Sequence, residues 1–264
     1  MKKLFAAALV LMMMVAGFAH AEDTSVQAIV DKGTFVLGLD DSFPPMGFRD
    51  ENNEIVGFDI DVAKAVADKL GVAFQAQPIA WDSKELELSS GNIDCIWNGL
   101  SITPEREESM CMSFPYLNNQ MIFYVKADSG IATKEDLAGK VVAVQNGSYA
   151  EELLAGDFAD LAATFKGDVL GYDEYLTALM DLQSGGCDAV LVDKVVGEYK
   201  IAGMGATDIV GAVVLADDNY GIAFRKDDKA LCAKVEEILS AMKADGTLAE
   251  ISTKWFGQDI TVVP

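Results

Sequence analysis

Leu88-Ser-Ser-Gly-Asn-Ile-Asp-Cys-Ile-Trp-Asn-Gly-Leu-Ser-Ile-Thr-Pro-Glu-Arg106 is the stretch on which the fold turns. Its first half closes a helix at a Ser-Gly turn and opens an apolar strand, Ile93 to Trp97, and its second half leads into a new helix start. The first half is written twice. Leu88, Ser90, Gly91 and Asp94 recur at identical spacing as Leu182, Ser184, Gly185 and Asp188, again between a helix and an apolar strand, Ala189 to Val192. Ser-Gly turns before strands are common, so the match reads either as a shared turn habit or as a structural repeat. As a repeat it aligns Gly99 with Asp193. Both then sit just past the carboxyl ends of equivalent strands, where open α/β sheets bind ligands.

Around these two copies the chain alternates strands and helices. Phe35 to Asp40 is an apolar strand, and Asp59 to Leu70 is a helix capped by Asp59 and ended by Gly71. The second half repeats the scheme with strand Val141 to Gln145, a helix from Tyr149 to Leu154 and a helix from Glu174 to Gln183. This alternation predicts an α/β architecture of two lobes, each a mainly parallel sheet flanked by helices. Tyr116 to Gln120 and Asp217 to Tyr220 precede strands Met121 to Lys126 and Gly221 to Arg225, so the chain crosses between lobes twice. Two crossings make a two-strand hinge. Helix Lys229 to Lys243 and the Trp255-Phe256-Gly257 tail return to the first lobe.

Thr103 is suited to cap a helix, Pro104 to its first position, and Arg106 falls at the third. The free N–H groups there attract an anion, and the planar fork of Arg106 fits a carboxylate, with backbone donors near Ser101 beside it. An ordinary capped helix carrying a surface arginine is the plain alternative.

Composition narrows the chemistry. Met1 to Ala21 has the form of a secretory signal peptide: Lys2 and Lys3, an apolar run from Leu4 to Phe18, and Ala19-His20-Ala21 as the cleavage site. No cysteine follows that site, which predicts a protein that is not lipid-anchored and is free in a periplasm-like space. The only histidine of the 264 residues is His20, so the 243 residues that remain contain none, and imidazole catalysis and histidine-ligated metals are excluded. Cys95, Cys111, Cys187 and Cys232 form no CxxC pair. They read as small buried residues, or as one of three full disulfide pairings that spacing cannot distinguish. Loss of two lysines leaves 18 basic against 42 acidic side chains, a formal charge of −24 that repels nucleic acid and anionic membranes. No cofactor or metal is expected.

Five segments together resemble the periplasmic solute-binding proteins of polar amino acid ABC transporters, the family 3 extracellular solute-binding proteins with the type 2 periplasmic-binding fold. They are Asp40-Asp41-Ser-Phe-Pro-Pro-Met-Gly-Phe48, Gly57-Phe-Asp-Ile-Asp61, Asn98 to Arg106, Pro115-Tyr116 and Lys254-Trp-Phe-Gly257. The resemblance covers nearly all of the chain after the signal peptide. It implies a discontinuous first lobe, residues 22–116 and 220–264, and a second lobe, residues 117–219, that close on one amino acid. It implies further that Arg106 clamps the ligand α-carboxylate with the N–H groups of Ser101 and Tyr149, while Asp193, the Gly99 carbonyl and the Ser101 hydroxyl hold the α-ammonium. Phe43 and Trp81 become aromatic walls, although buried aromatics also serve simply as core. Leu100, Gln145 and Ser148 complete the expected contact set. Tyr149 departs from the small residue many relatives carry, so only its backbone donor transfers. Ser148 and Glu151 have capping-box spacing, which starts a helix at Tyr149.

Asp40 stands where relatives contact a cationic or amide side chain. A carboxylate beside flat aromatics suits guanidinium or ammonium, which favours arginine, lysine or ornithine; glutamine, histidine and cystine stay open. Asp41 and Glu85 read as solvated charges. The expected partners are the amino acid and the membrane permease of an ABC transporter, with the protein itself a monomer. A cyclohexadienyl dehydratase-like enzyme is the rival, since it also presents a carboxylate to an arginine. It needs a general acid or base, for which only carboxylates such as Asp40 or Glu85 remain, and Asp193 has no use against a dianionic keto acid.

Overall fold

The computed structural model describes residues 23–264; the predicted signal peptide lies outside the described residues. The first lobe opens with α1 (Ser25–Lys32) and β1 (Thr34–Leu39). A small three-stranded sheet, β2 (Ser42–Phe43), β3 (Gly47–Arg49) and β4 (Ile55–Val56), leads to α2 (Phe58–Leu70). Next come β5 (Ala73–Pro78), a single 3-10 turn at Trp81–Ser83, α3 (Lys84–Ser89), β6 (Cys95–Ser101), α4 (Pro104–Ser109) and β7 (Cys111–Met112). Strand β8 (Leu117–Lys126) crosses to the second lobe, built from β9 (Val142–Gln145), α5 (Tyr149–Ala155), α6 (Ala159–Ala162), β10 (Leu170–Tyr172), α7 (Tyr175–Ser184), β11 (Ala189–Asp193) and α8 (Lys194–Met204). Strand β12 (Ile209–Phe224) crosses back, and α9 (Lys229–Asp245) and α10 (Thr247–Phe256) complete the first lobe.

The main sheet runs β10-β9-β11-β8-β12-β6-β1-β5, with β7 beside β12. Parallel pairs form its two outer parts, β5-β1-β6 and β10-β9-β11. Between them β8 and β12 pair antiparallel from Leu117 opposite Tyr220 to Lys126 opposite Ile209, and each also pairs antiparallel with the neighbouring lobe strand. Strand β12 is far longer than the predicted Gly221 to Arg225. Its polar run Asp217-Asp218-Asn219 hides the strand pattern, because Asp217 and Asn219 are exposed and Asp218, turned inward between them, is buried in a polar network and not in an apolar core. Helix α10 is likewise longer than the Trp255-Phe256 tail suggested. It packs its apolar face on α2 and α9, with Phe256 against Phe58 at 5.2 Å between ring centroids.

The repeated motif is a repeated clasp. The N–H of Asp94 donates to the Val36 carbonyl at 2.8 Å and its carboxylate accepts the Val36 N–H at 2.7 Å; Asp188 makes the same two bonds with Val141, both at 2.8 Å. Each aspartate thereby ties the start of one parallel strand to the next. Asp94 also accepts Lys32 at 2.6 Å, so its buried charge is paired.

Asp59 corrects the sequence reading. The cap of α2 is Gly57, at φ +147, where any Cβ would sit 2.2 Å from the Met46 carbonyl oxygen. The first free N–H groups of the helix are satisfied by main chain instead, Phe58 donating to Pro45 and Asp59 to Met46, so no side-chain cap is needed. Asp59 is wholly buried at the second position of the helix. It accepts the Gly99 N–H at 2.9 Å and the Tyr116 hydroxyl at 3.0 Å, and burial lifts its pKa to about 7. Cys95, Cys187 and Cys232 are buried and Cys111 half-buried, all as free thiols.

Candidate ligand-binding site

The second half of the opening motif forms as read: the Thr103 side chain accepts the Arg106 N–H at 3.3 Å, and Pro104 begins α4. This brings Arg106 back over the end of β6, where the residue is only 3% exposed. One terminal nitrogen donates to the Ser101 carbonyl at 2.8 Å and the other to Glu152, across the cleft on α5, at 2.6 Å. The Arg106 Nε is buried without a partner. Glu152 has no motif, and nothing in its local sequence marks it as the partner of Arg106.

A buried polar network continues from there. The Ser101 hydroxyl donates to Asp218 on β12 at 2.9 Å. The side-chain amide of Asn119 on β8 donates to both Asp218, at 3.0 Å, and Asp193, at 2.7 Å; the Tyr220 hydroxyl donates to the same Asp193 oxygen at 2.7 Å. Asp193 closes β11 and stands at the start of α8, as the alignment with Gly99 places it. Burial raises the pKa of both carboxyls, that of Asp193 to about 7, and the nearby Asp218 charge adds to the rise at Asp193.

Gly99 holds φ +59, and a Cβ there would lie 2.9 Å from the Phe43 ring and 3.0 Å from Tyr220. Phe43 packs 6.1 Å from the Tyr175 ring of α7. Tyr175, 1% exposed, carries a hydroxyl with no hydrogen-bond partner. Leu100 points into the core with Val36, Ile96 and Ala223, so a ligand can reach only its backbone.

The other end of the cleft is built on Asp40. One of its oxygens accepts the Ser42 N–H and hydroxyl, and the other accepts Gln145 Nε2 at 2.7 Å from the opposite lobe. Gln145 also donates to the Asp173 carbonyl at 2.9 Å, and its own carbonyl accepts the Ser148 hydroxyl at 2.7 Å. Ser148 accepts the Glu151 N–H while the Glu151 carboxylate accepts the Gly147 N–H, which sets Tyr149 at the first position of α5. Tyr149 is half-buried and its phenol pKa is raised by that burial.

Beside Asp40 lies a cavity of about 330 Å³ lined by Asp41, Trp81, Asp82, Asn146, Asp173 and Glu174 among others. Asp41 pairs with Arg49, and Glu85 stays at the surface, as solvated charges do. A larger cavity of about 940 Å³, against the crossing strands between α8 and α10, touches the buried network at Asn119 and Asp218 and none of the other residues around Arg106. Two further lysines bridge the lobes. Lys84 of α3 donates to the Gly147 carbonyl at 2.8 Å, and Lys200 of α8 to the Ser42 carbonyl at 2.6 Å. Burial lowers both pKa values, that of Lys200 to about 8. Among the described residues no group of histidine, cysteine or carboxylate side chains is placed to hold a metal ion.

The fold is thus that of a two-lobed periplasmic binding protein, and the chain belongs to the bacterial extracellular solute-binding proteins, family 3, whose model matches residues 35–258. Among its relatives is the L-cystine-binding protein TcyJ of Escherichia coli strain K12, 32% identical over 97% of this chain and 94% of that protein. ABC transporter arginine-binding protein 1 of the same strain is 34% identical over 84% of this chain and 90% of its own length. An ABC uptake transporter substrate binding protein from Streptococcus pneumoniae, solved with bound histidine, matches with a TM-score of 0.87 at 35% identity, over 91% of this chain and 99% of that one.

Proposed function

We propose that this protein binds an amino acid with a cationic side chain, such as arginine, lysine or ornithine, between two closing lobes and delivers it to the membrane permease of an ABC transporter. The observation that carries this reading is the 330 Å³ cavity in which Asp40 and Trp81 meet Asp41, Asp82, Asp173 and Glu174. A guanidinium or ammonium group there gains ion pairing and an aromatic face. Arg106 takes the α-carboxylate with the N–H groups of Ser101 and Tyr149. Asp193 takes the α-ammonium with the Gly99 carbonyl and the Ser101 hydroxyl, and Phe43 lies along the side chain. A zwitterion drawn from water needs both charges matched, and the cleft has a buried cation and buried carboxylates one network apart.

The lobes are residues 22–116 with 220–264, and residues 117–219, turning about the crossings at Leu117–Gln120 and Asp217–Tyr220. Ligand that touches both lobes favours closure through its differential affinity for the closed state. The protein works as a monomer in the periplasm after its signal peptide is cleaved, and it binds without turnover. Cystine is the second reading, supported by the relative that matches 97% of the chain and by an acidic cavity that also suits the second ammonium of cystine.

Thermal-shift screening of residues 22–264 against the twenty amino acids, ornithine and cystine tests this. At about 100 times Kd a true ligand adds roughly 2.7 kcal/mol, which raises Tm by about 5–10 °C for a chain of this size. Arginine, lysine or ornithine should give the largest shifts. A response confined to acidic amino acids defeats the cationic reading, and turnover of prephenate defeats binding without catalysis.

A further inference from the structure

Three buried polar atoms in the cleft have no hydrogen-bond partner: Arg106 Nε, Asn119 Oδ1 and the Tyr175 hydroxyl. Their chemistry is divided, since Arg106 can only donate, an amide carbonyl can only accept, and a phenol oxygen can do either. The two acceptors belong to side chains 6% and 1% exposed. Asn119 gives both its N–H bonds to carboxylates, Asp193 at 2.7 Å and Asp218 at 3.0 Å, so those two carboxylate oxygens lie under about 6 Å apart. The Tyr175 hydroxyl lies in the electrostatic field of Asp193, Asp40 and Asp218 and bonds to none of them; its polar neighbour is the Ser148 hydroxyl, which gives its own proton to the Gln145 carbonyl.

Two buried carboxylates at this separation need a cation or a proton. The groups that face them are Arg106 of α4, Tyr124 of β8, Tyr149 of α5, Tyr175 of α7, Tyr220 of β12 and Asp40. Among these Arg106 is the one cation, and its terminal nitrogens are held by Ser101 and Glu152. Burial pushes both carboxyls toward the protonated form, and with the Asp218 charge beside it Asp193 reaches a pKa of about 7. A primary ammonium has three N–H donors and a full charge, and Asp193, Asn119 Oδ1 and the Tyr175 oxygen are three acceptors without a cation.

We propose that Asp218, Asn119 and Tyr175 complete with Asp193 a cage for the ligand α-ammonium, and that ammonium entry expels to solvent a proton which the two carboxyls share. This deepens the amino acid-binding reading and rests on it. Asp218 acts in two ways, orienting Ser101 by accepting its O–H so that the hydroxyl oxygen is free to accept the ammonium, and adding the second negative charge. The step balances: a carboxylic acid and an ammonium ion become a carboxylate–ammonium pair and one released proton.

Isothermal titration of the best-shifting amino acid near pH 7, in phosphate and in Tris, tests the cage. The wild type should release a fraction of a proton per ligand bound, seen as a buffer-dependent enthalpy, and its affinity should strengthen by up to tenfold per unit as pH rises toward about 7 and level off above it. Asp218→Asn should diminish both the release and the slope, because Asp193 loses the charge that adds to its burial, whereas a merely structural role for Asp218 would leave them in place. Tyr175→Phe keeps the ring against Phe43 and should weaken binding about fivefold or more. Buffer-independent enthalpy with a flat pH profile in the wild type overturns the inference, as does undiminished proton release in Asp218→Asn. Should Asp218→Asn not fold, the wild-type titrations and Tyr175→Phe still decide. If no amino acid binds at all, the parent reading fails instead.

Discussion

Arg106→Ala measures how far ligand binding depends on one guanidinium. In the free protein the substitution removes a bond to the Ser101 carbonyl and an ion pair with Glu152, whose side chain is 42% exposed. Glu152 can therefore rehydrate, and the folding cost should stay near 1–2 kcal/mol, mostly for the lost buried bond. In the complex the ligand carboxylate is left without its counter-charge, a loss of about 2–5 kcal/mol. Because the carboxylate must share or replace the hold of Glu152 on Arg106, the lower half of that range applies, an increase in Kd of about 30-fold to a few hundred-fold. Arg106→Lys keeps charge without the fork and should recover about 1 kcal/mol. Glu152→Gln weakens the internal competitor and should tighten binding by a few-fold. Calorimetric titration with the amino acid that gives the largest thermal shift reads all three. A Kd for Arg106→Ala within about threefold of wild type, with a native circular dichroism spectrum, would refute the clamp, and looser binding by Glu152→Gln would refute the competition.

Other substitutions separate scaffold from site. Gly99→Ala combines a positive φ with a Cβ 2.9 Å from Phe43 and should lower stability by about 1–3 kcal/mol, seen as a fall in Tm; an unchanged Tm would mean that the β6 turn is not held there. Asp94→Asn leaves Lys32 unpaired and weakens the clasp to Val36, so it should cost about 2–4 kcal/mol in denaturant unfolding while ligand affinity stays unchanged. Lys200→Met removes a cross-lobe bond and a pH term. Since the pKa of Lys200 falls from 10.5 to about 8 by burial, the closed fold gains stability as pH rises through 8 to 10.5 and loses it on the way down, by on the order of 3 kcal/mol. The Tm difference between wild type and Lys200→Met should follow that window; a difference independent of pH would place Lys200 in water.

Local signals in the chain were strong where the physics is local. Thr103, Pro104 and the Ser148–Glu151 pair cap their helices because capping needs only neighbouring residues. Gly71 and Gly185 end theirs with left-handed backbone for the same reason. The Asp94 and Asp188 copies were legible as spacing, and their meaning as strand clasps follows from two parallel strands starting at the same height. Asp59 misled, since a good capping residue by type falls at the second helical position after the Gly57 bend and the buried Phe58.

What the chain by itself determined was the alternation of elements, the absence of imidazole after residue 20, and the placing of Arg106 and Asp193 just past the ends of equivalent strands, on which the proposed clamp rests. What only tertiary structure decided was pairing across the cleft: Glu152 with Arg106, Gln145 with Asp40, Lys200 with Ser42, and Asn119 between Asp193 and Asp218. Those partners lie far apart in sequence, and they meet because two long antiparallel strands carry the chain between lobes. Charge and hydrogen bonding act over a few ångströms of space, so the residues that tune this cleft leave no periodic mark on the chain that folds around it.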